Sequence, residues 1–186
     1  MDMMNLTDKI KQLNESKRRV LIAIDGPCAS GKTTLADKLA KELDAQVIHA
    51  DDFFLPFEMK TPERLSQPGG NIHYERFKEE VALGIESGKA FEYGVYRCAE
   101  GRITEKKTVI PEGIIIVEGS YSLHPEMSLD YDLSVFVETP FEVRIERILA
   151  RDGKEKLGMF KEKWIPMEDK YFEFYSIKEK CDIVIK

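Results

Sequence analysis

Gly26-Pro27-Cys28-Ala29-Ser30-Gly31-Lys32-Thr33-Thr34 decides the fold of this chain. The apolar run Val20-Leu21-Ile22-Ala23-Ile24 precedes it and Leu35-Ala36-Asp37-Lys38-Leu39-Ala40, which reads as a helix, follows it. Strand, glycine-bounded loop and helix N-terminus stand in the order a phosphate-binding loop requires. Such a loop can turn successive backbone N–H groups inward toward phosphate oxygens, and the helix dipole adds partial positive charge at the same place. Gly26, Ala29, Ser30, Gly31, Lys32, Thr33 and Thr34 are therefore the candidate phosphate-binding residues. Lys32 can reach the β- and γ-phosphates of a nucleotide such as ATP, and the Thr33 hydroxyl can ligate Mg²⁺. A chance match in a glycine-containing turn is the alternative, and the flanking strand and helix argue against it.

Outward from that loop, the 186 residues fit one domain, residues 1–186, large enough for a sizeable core. With 42% hydrophobic and 33% charged residues the composition is that of an ordinary soluble protein. A net charge of -6 excludes a broad nucleic-acid footprint, although a local basic patch remains compatible with a small phosphorylated ligand. Cys28, Cys98 and Cys181 are widely spaced and form no C-x-x-C pair, which points to reduced thiols. No apolar run reaches membrane-spanning length and the N-terminus lacks a secretory core, so a cytoplasmic location is expected. Cys28 lies inside the loop, where a lowered thiol pKa is conceivable and a small loop-filling role is the alternative. A homo-oligomer is compatible with the sequence.

Residues 1–17 place Leu6, Ile10 and Leu13 at helical spacing, which predicts an amphipathic packing helix capped at Asn5 or Thr7. After the loop's helix, Gln46-Val47-Ile48-His49-Ala50 reads as a second strand in a right-handed parallel βαβ unit. It ends on Asp51-Asp52-Phe53-Phe54, at the strand edge where open α/β sheets bind ligands. Those acids read as catalytic, with a helix cap as the alternative. Residues 55–71, rich in Pro and Gly, should be mostly loop, and a helix is expected over 74–87. Two alternating strands within 91–110 form a projecting hairpin.

Gly113-Ile114-Ile115-Ile116-Val117-Glu118 is a continuous β-branched run, suited to a parallel strand covered on both faces. Glu118 at its end fits a Mg²⁺-shell acid, a plain turn acid being the alternative. After the strand 132–138, Thr139 and Pro140 are expected to open a helix as cap and first-turn residue. That helix carries Arg144, Arg147 and Arg151 near one face, read as a lid with a salt-bridged solvent face as the alternative. Residues 151–160 are expected as a lid loop, 159–177 as a helical stretch interrupted at Pro166, and 181–185 as a last strand.

GPCASGKTT, HADDFF, IIIVEG and TPFEVRIERILARD together resemble the uridine kinase-like group of P-loop kinases, which includes the nicotinamide riboside kinases. The likeness runs from about residue 18 to the C-terminus. It implies a P-loop three-layer α/β/α fold with a five-stranded parallel sheet in the order 2-3-1-4-5, and transfer of the ATP γ-phosphate, with Mg²⁺, to a small-molecule hydroxyl. By that resemblance Asp51 is the general base, Glu118 lies near Mg²⁺, Arg144, Arg147 and Arg151 form the arginine helix leading into the lid, and Tyr96 lies on the acceptor side. The expected site is then Lys32, Asp51, Arg147 and Arg151 for catalysis, Thr33 and Glu118 for the metal, and Asp51, Phe54, Tyr96 and Arg144 for the acceptor. The sequence departs from uridine kinases at the hairpin, where Tyr96 is followed by Arg97 and no His, and at Pro68-Gly69-Gly70-Asn71, where sugar-holding aspartates are expected.

Two other readings stay open. Two of Arg64, Arg76, Arg97 and Arg102 could converge on an anionic acceptor such as a nucleotide, a phosphorylated sugar or an acid. The chain could also be an ATP-binding switch without metabolite kinase activity, although no Asn-Lys-x-Asp guanine motif is present.

Overall fold

The computed structural model describes residues 3–186. Five strands form one parallel sheet: β1 (Arg19–Asp25), β2 (Gln46–His49), β5 (Gly113–Glu118), β6 (Leu133–Val137) and β7 (Ile183–Ile185). Their spatial order is β2-β5-β1-β6-β7. The strands β3 (Phe91–Arg97) and β4 (Arg102–Val109) pair only with each other, as an antiparallel hairpin. With the hairpin left out of the count, the sheet order is 2-3-1-4-5.

Alternation along the central strands splits the core into two layers. Val20, Ile22 and Ile24 of β1, with Ile114 and Ile116 of β5, meet Leu6 and Ile10 of α1 (Met3–Ser16) and Ala36 and Leu39 of α2 (Lys32–Leu43). Leu21, Ile115 and Val117 point the other way, into a cluster with Phe53, Phe77, Tyr93 and Tyr171. Strands buried on both faces need this near-continuous apolar composition, because each neighbouring residue serves a different layer. Asn5 and Thr7 lie inside α1 and not at its cap, and the Thr7 hydroxyl is 3.5 Å from Glu42 on α2.

The connection over 55–71 is more ordered than a loop. It holds a 3₁₀ turn (Phe57–Met59) and a short helix, α3 (Pro62–Ser66), capped by the Thr61 side chain. Arg64 fastens it, donating to the carbonyls of Gly70 and Ile72 and to both carboxylate oxygens of Glu75. Helix α4 (74–87) buries Phe77, Val81 and Ile85, passes through a π-helical turn at Lys78–Ala82 and ends at Gly88. Leu83, on the same helix, faces solvent.

Three expectations in the C-terminal third are corrected. Residues 151–160 are helical. Helix α5 (Phe141–Met159) continues through them with one break at Gly153 (φ 82°, ψ 174°), a conformation open in practice to glycine alone. Lys154-Glu155-Lys156-Leu157 are all good helix formers, so the chain resumes its helix at once. Pro166 does not interrupt the next segment either. A π-helical turn (Phe160–Trp164) runs without a break into helix α6 (Ile165–Tyr175), and Pro166 directly follows that turn, where the local change of winding takes up its missing N–H. The short helix α7 (Ile177–Lys180) and β7 close the chain. Thr139 does not cap α5; its hydroxyl donates to the Ser30 carbonyl (2.9 Å) and ties the helix entry to the loop after β1.

Gly26 shows how tightly that loop is set. Its φ is 141°, and a Cβ there would lie 2.4 Å from the Val137 carbonyl oxygen on β6. Gly26→Ala is expected to lower stability by about 3 kcal/mol or more, from left-region strain plus overpacking against backbone. Thermal unfolding should show a melting temperature lower by roughly 6–12 °C for a chain of this size.

Candidate active site

β1 ends at Asp25, fully buried, whose carboxylate accepts from the backbone N–H groups of Gly26 (2.7 Å), Tyr121 (3.2 Å) and Leu123 (3.0 Å) and from the Tyr171 hydroxyl (2.8 Å). Burial outweighs those bonds and pushes its pKa up to about 6. The residue thereby locks the start of the loop to the loop after β5 and to α6. Its position, directly before the first glycine, was the only sequence signal of this role.

From there the chain winds through Ala29 (φ 59°) and Gly31 into α2. The Lys32 ammonium donates to the Pro27 carbonyl (2.9 Å) and stands 3.4 Å from the Ser120 hydroxyl. The Thr33 hydroxyl lies 3.2 Å from each oxygen of Glu118. Glu118 is in turn 2.5 Å from His49 Nδ1, and that bond holds the imidazole pKa above its usual value. His49 ends β2 beside Glu118 in the parallel register, so its place could have been found once the strand order was assumed. The donor set of Thr33 and Glu118 is all oxygen, one hydroxyl and one carboxylate, which suits Mg²⁺ with most of its shell left to water and phosphate. Among the described residues no cluster of three or more His, Cys, Asp or Glu could hold a metal without such outside ligands.

Two cavities meet at the loop. One, of about 610 Å³, is lined by Ala29 to Leu35 together with Thr139, Arg147 and Arg151. The other, of about 350 Å³, lies across Lys32 and Thr33 and is lined by Asp51, Phe54, Glu118, Tyr121, Trp164 and Glu168 among others. Arg151 borders both, while its Nε donates to Asp152 (2.7 Å). Arg147 donates from Nη1 to the carbonyls of Ala29 (3.0 Å) and Ser30 (3.2 Å).

The two adjacent acids separate. A 3₁₀ turn (Ala50–Phe53) aims Asp51 into the second cavity and Asp52 away from it. Water reaches Asp51, yet protein surrounds it. That enclosure, opposed by the charge of Lys32 and reinforced by Glu118 and Glu168, pushes its pKa up to about 6. Asp52 is buried and structural, accepting from Tyr93 (3.3 Å) and pairing with Lys107 (3.0 Å). Asp52→Asn is expected to cost about 1–3 kcal/mol of stability in a denaturant titration, with turnover within a few-fold of wild type.

Other expected residues fall elsewhere. Tyr96 is buried in β3 and does not line the cavity. The register shifts between Val95 and Tyr96, and such a bulge re-aims the side chains beyond it. Cys98, two residues on, borders the cavity instead. Arg144 is buried, lines neither cavity and holds its guanidinium 5.5 Å from the Phe141 ring centroid. The four arginines, two of which could have converged on an anionic acceptor, are all engaged with acids: Arg64 with Glu75, Arg76 with Glu80, Arg97 with Glu105 and Arg102 with Glu100. None of them borders the cavity. Cys28 is no activated thiol, since burial and then the neighbouring Glu168 push it up to about 12. Glu168 itself was not foreseen. Buried on α6, it accepts from the Cys28 amide (2.9 Å) and the Ser120 hydroxyl (2.7 Å), joining that helix to the loop.

A family model described as an AAA domain matches residues 22–165. Uridine kinases of Staphylococcus aureus strains JH9 and Newman are each 28% identical, over 91% of this chain and 88% of the relative. A solved structure described as a possible uridine kinase from Bacillus stearothermophilus has a TM-score of 0.67 at 21% identity, covering 98% of this chain and 100% of that one. A candidate fructose transport system kinase from Silicibacter sp. TM1040 reaches 0.75 at 18% identity, with 100% of both chains covered. The two structures share the P-loop kinase fold with this chain.

Proposed function

The chain belongs to the AAA-domain family of P-loop proteins, and from that premise we propose that it is an ATP-dependent kinase passing the γ-phosphate to a hydroxyl of a small molecule, a nucleoside or related riboside. The observation that carries this reading is Asp51. Its carboxyl faces the cavity beside Lys32, Thr33 and Glu118, and none of the described residues donates a hydrogen bond to it or pairs with it. A carboxylate with free lone pairs at that place suits removal of a proton from an acceptor hydroxyl.

In this reading the loop amides and Lys32 hold the phosphates in the larger cavity. Asp51 takes or orients the hydroxyl proton in the smaller one, with Phe54 as one of its walls. Arg147 and Arg151 neutralise charge developing on the transferred group. Thr33 and Glu118 would hold Mg²⁺, which when bound offsets the negative charge of the phosphates. His49 orients the Glu118 carboxylate. No helix among the described residues is long and apolar enough to cross a membrane, and Cys28, Cys98 and Cys181 are free thiols, which fits a reducing, cytoplasmic setting.

The test is ADP release measured with and without a panel of nucleosides, sugars, vitamins and their phosphates. Release that depends on a hydroxyl-bearing riboside is the expected result. Release independent of any acceptor would favour an ATP-binding switch, and release with nucleoside monophosphates alone would remove the need for Asp51.

A further inference from the structure

On the wall of the acceptor cavity stands a cation that no described residue pairs with a carboxylate. Lys60 borders that cavity, and the groups that act on it are the Cys98 thiol, kept neutral by burial, and the Lys163 ammonium. Its ammonium lies 5.7 Å from the Trp164 ring centroid, and that of Lys163 lies 4.7 Å from the same ring. Two ammonium groups on one indole repel each other. Burial first, and then that repulsion, lower the Lys60 pKa, as for a charge that lacks its partner. Arg64, Arg76, Arg97 and Arg102 are, by contrast, each paired with an acid.

Lys60, Cys98 and the base Asp51 all border this one cavity. Phe54, Phe160 and Trp164 give this space flat apolar walls. Asn71, also on its wall, is buried with its Oδ1 lacking any hydrogen-bond partner. Glu118 and Glu168 are already satisfied at the loop end, by Thr33 and His49 and by Ser120 and Cys28.

We propose that the acceptor is a flat-ringed hydroxyl compound bearing a carboxylate, and that Lys60 on the Trp164 face selects that carboxylate while the hydroxyl lies at Asp51. The inference rests on the kinase reading above and adds the acceptor's charge to it. A carboxylate suits this site better than a phosphate. One flexible ammonium is a point charge without the fork that phosphate recognition usually recruits from arginine. Asn71 supplies a hydrogen-bonding group for a second polar atom of the ring or sugar.

The test uses matched pairs of pyridine and pyrimidine ribosides whose members differ only in a ring carboxylate or carboxamide. Phosphoryl transfer and equilibrium binding by calorimetry are both measured for wild type, Lys60→Met and Lys60→Arg. The expected result is a wild-type preference for the carboxylate member of roughly 10-fold or more, the scale of one charge-assisted hydrogen bond. Lys60→Met should erase that preference and Lys60→Arg should keep most of it, with ATP affinity and melting temperature confirming folded protein. Equal or amide-favouring use by wild type, a preference that survives Lys60→Met, or no binding of any carboxylate member overturns the inference. Carboxylate binding that depends on Lys60 without any phosphoryl transfer would sustain it and instead overturn the kinase assignment.

Discussion

Asp51→Asn is expected to cut phosphoryl transfer by roughly 10²–10⁴, the range a positioned general base supplies, while ATP affinity stays within a few-fold. Asparagine keeps the size and shape of the side chain and forfeits its negative charge and its ability to take a proton. The neighbouring Asp52 provides the internal control, since its carboxylate is spent on Tyr93 and Lys107. The pH profile gives a second reading of the same group. With Asp51 pushed up to about 6, the carboxyl is protonated below that pH and cannot serve as a base. The wild-type kcat/KM should therefore fall about tenfold per pH unit on the acid side, with a midpoint near 6. The His49 pKa is also raised, by its bond to Glu118, so Asp51→Asn is needed to separate the two. Unchanged turnover in Asp51→Asn would remove the base from the mechanism.

Arg147→Ala is expected to lower kcat by about 10³, with the arginine-finger scale of roughly 10⁵ as an upper bound. The guanidinium borders the donor cavity and stands against the carbonyls of Ala29 and Ser30, within the loop that would cradle the phosphates. Lysine at this position should recover only part of the loss, because it supplies charge without a planar fork. Arg144→Ala makes the contrast. That side chain lies in the interior between α5 and the loop, where Cys28 and Asp169 both feel its charge. Its removal should appear in unfolding measurements before it appears in KM. Full turnover by Arg147→Ala would mean that the arginine only braces the loop.

What could be read from the sequence was what is local or periodic. The glycines around Lys32 and Thr33 announced the loop, and the β-branched run ending at Glu118 announced a strand buried on both faces. Tertiary pairing was out of reach. Nothing in Asp51-Asp52 says which acid enters the cavity, because a single 3₁₀ turn decides it. Arg64 looked available for an anion until the fold brought Glu75 and the carbonyls of Gly70 and Ile72 around it, and Arg76 until the carbonyls of Asp52 and Gly94 joined its helical neighbour Glu80. Gly153 and Gly158 suggested a loop because glycine is permissive, yet the residues between them are helix formers and only Gly153 leaves the helix. Glu168 and Trp164 were hidden among residues that read as ordinary core, and only the packing of α6 against the loop turned them toward the cavity.

The break at Gly153 has a partner further along the chain. Ser176 (φ 52°) ends α6 in the left-handed region, so residues 154–175 form one run of helix bounded at both ends by a left-handed residue. This run is pinned inside by Tyr171 on Asp25 and Glu168 on Cys28 and Ser120, while Phe160 and Trp164 wall the cavity. Its bounds and its few anchors give it the form of a cassette. A segment grafted between Gly153 and Ser176 that keeps Glu168 and Tyr171 would dock on the same sheet and present a different wall. Substrate range in this architecture can thus diversify by swapping one contiguous piece of chain, leaving the catalytic loop and the sheet untouched.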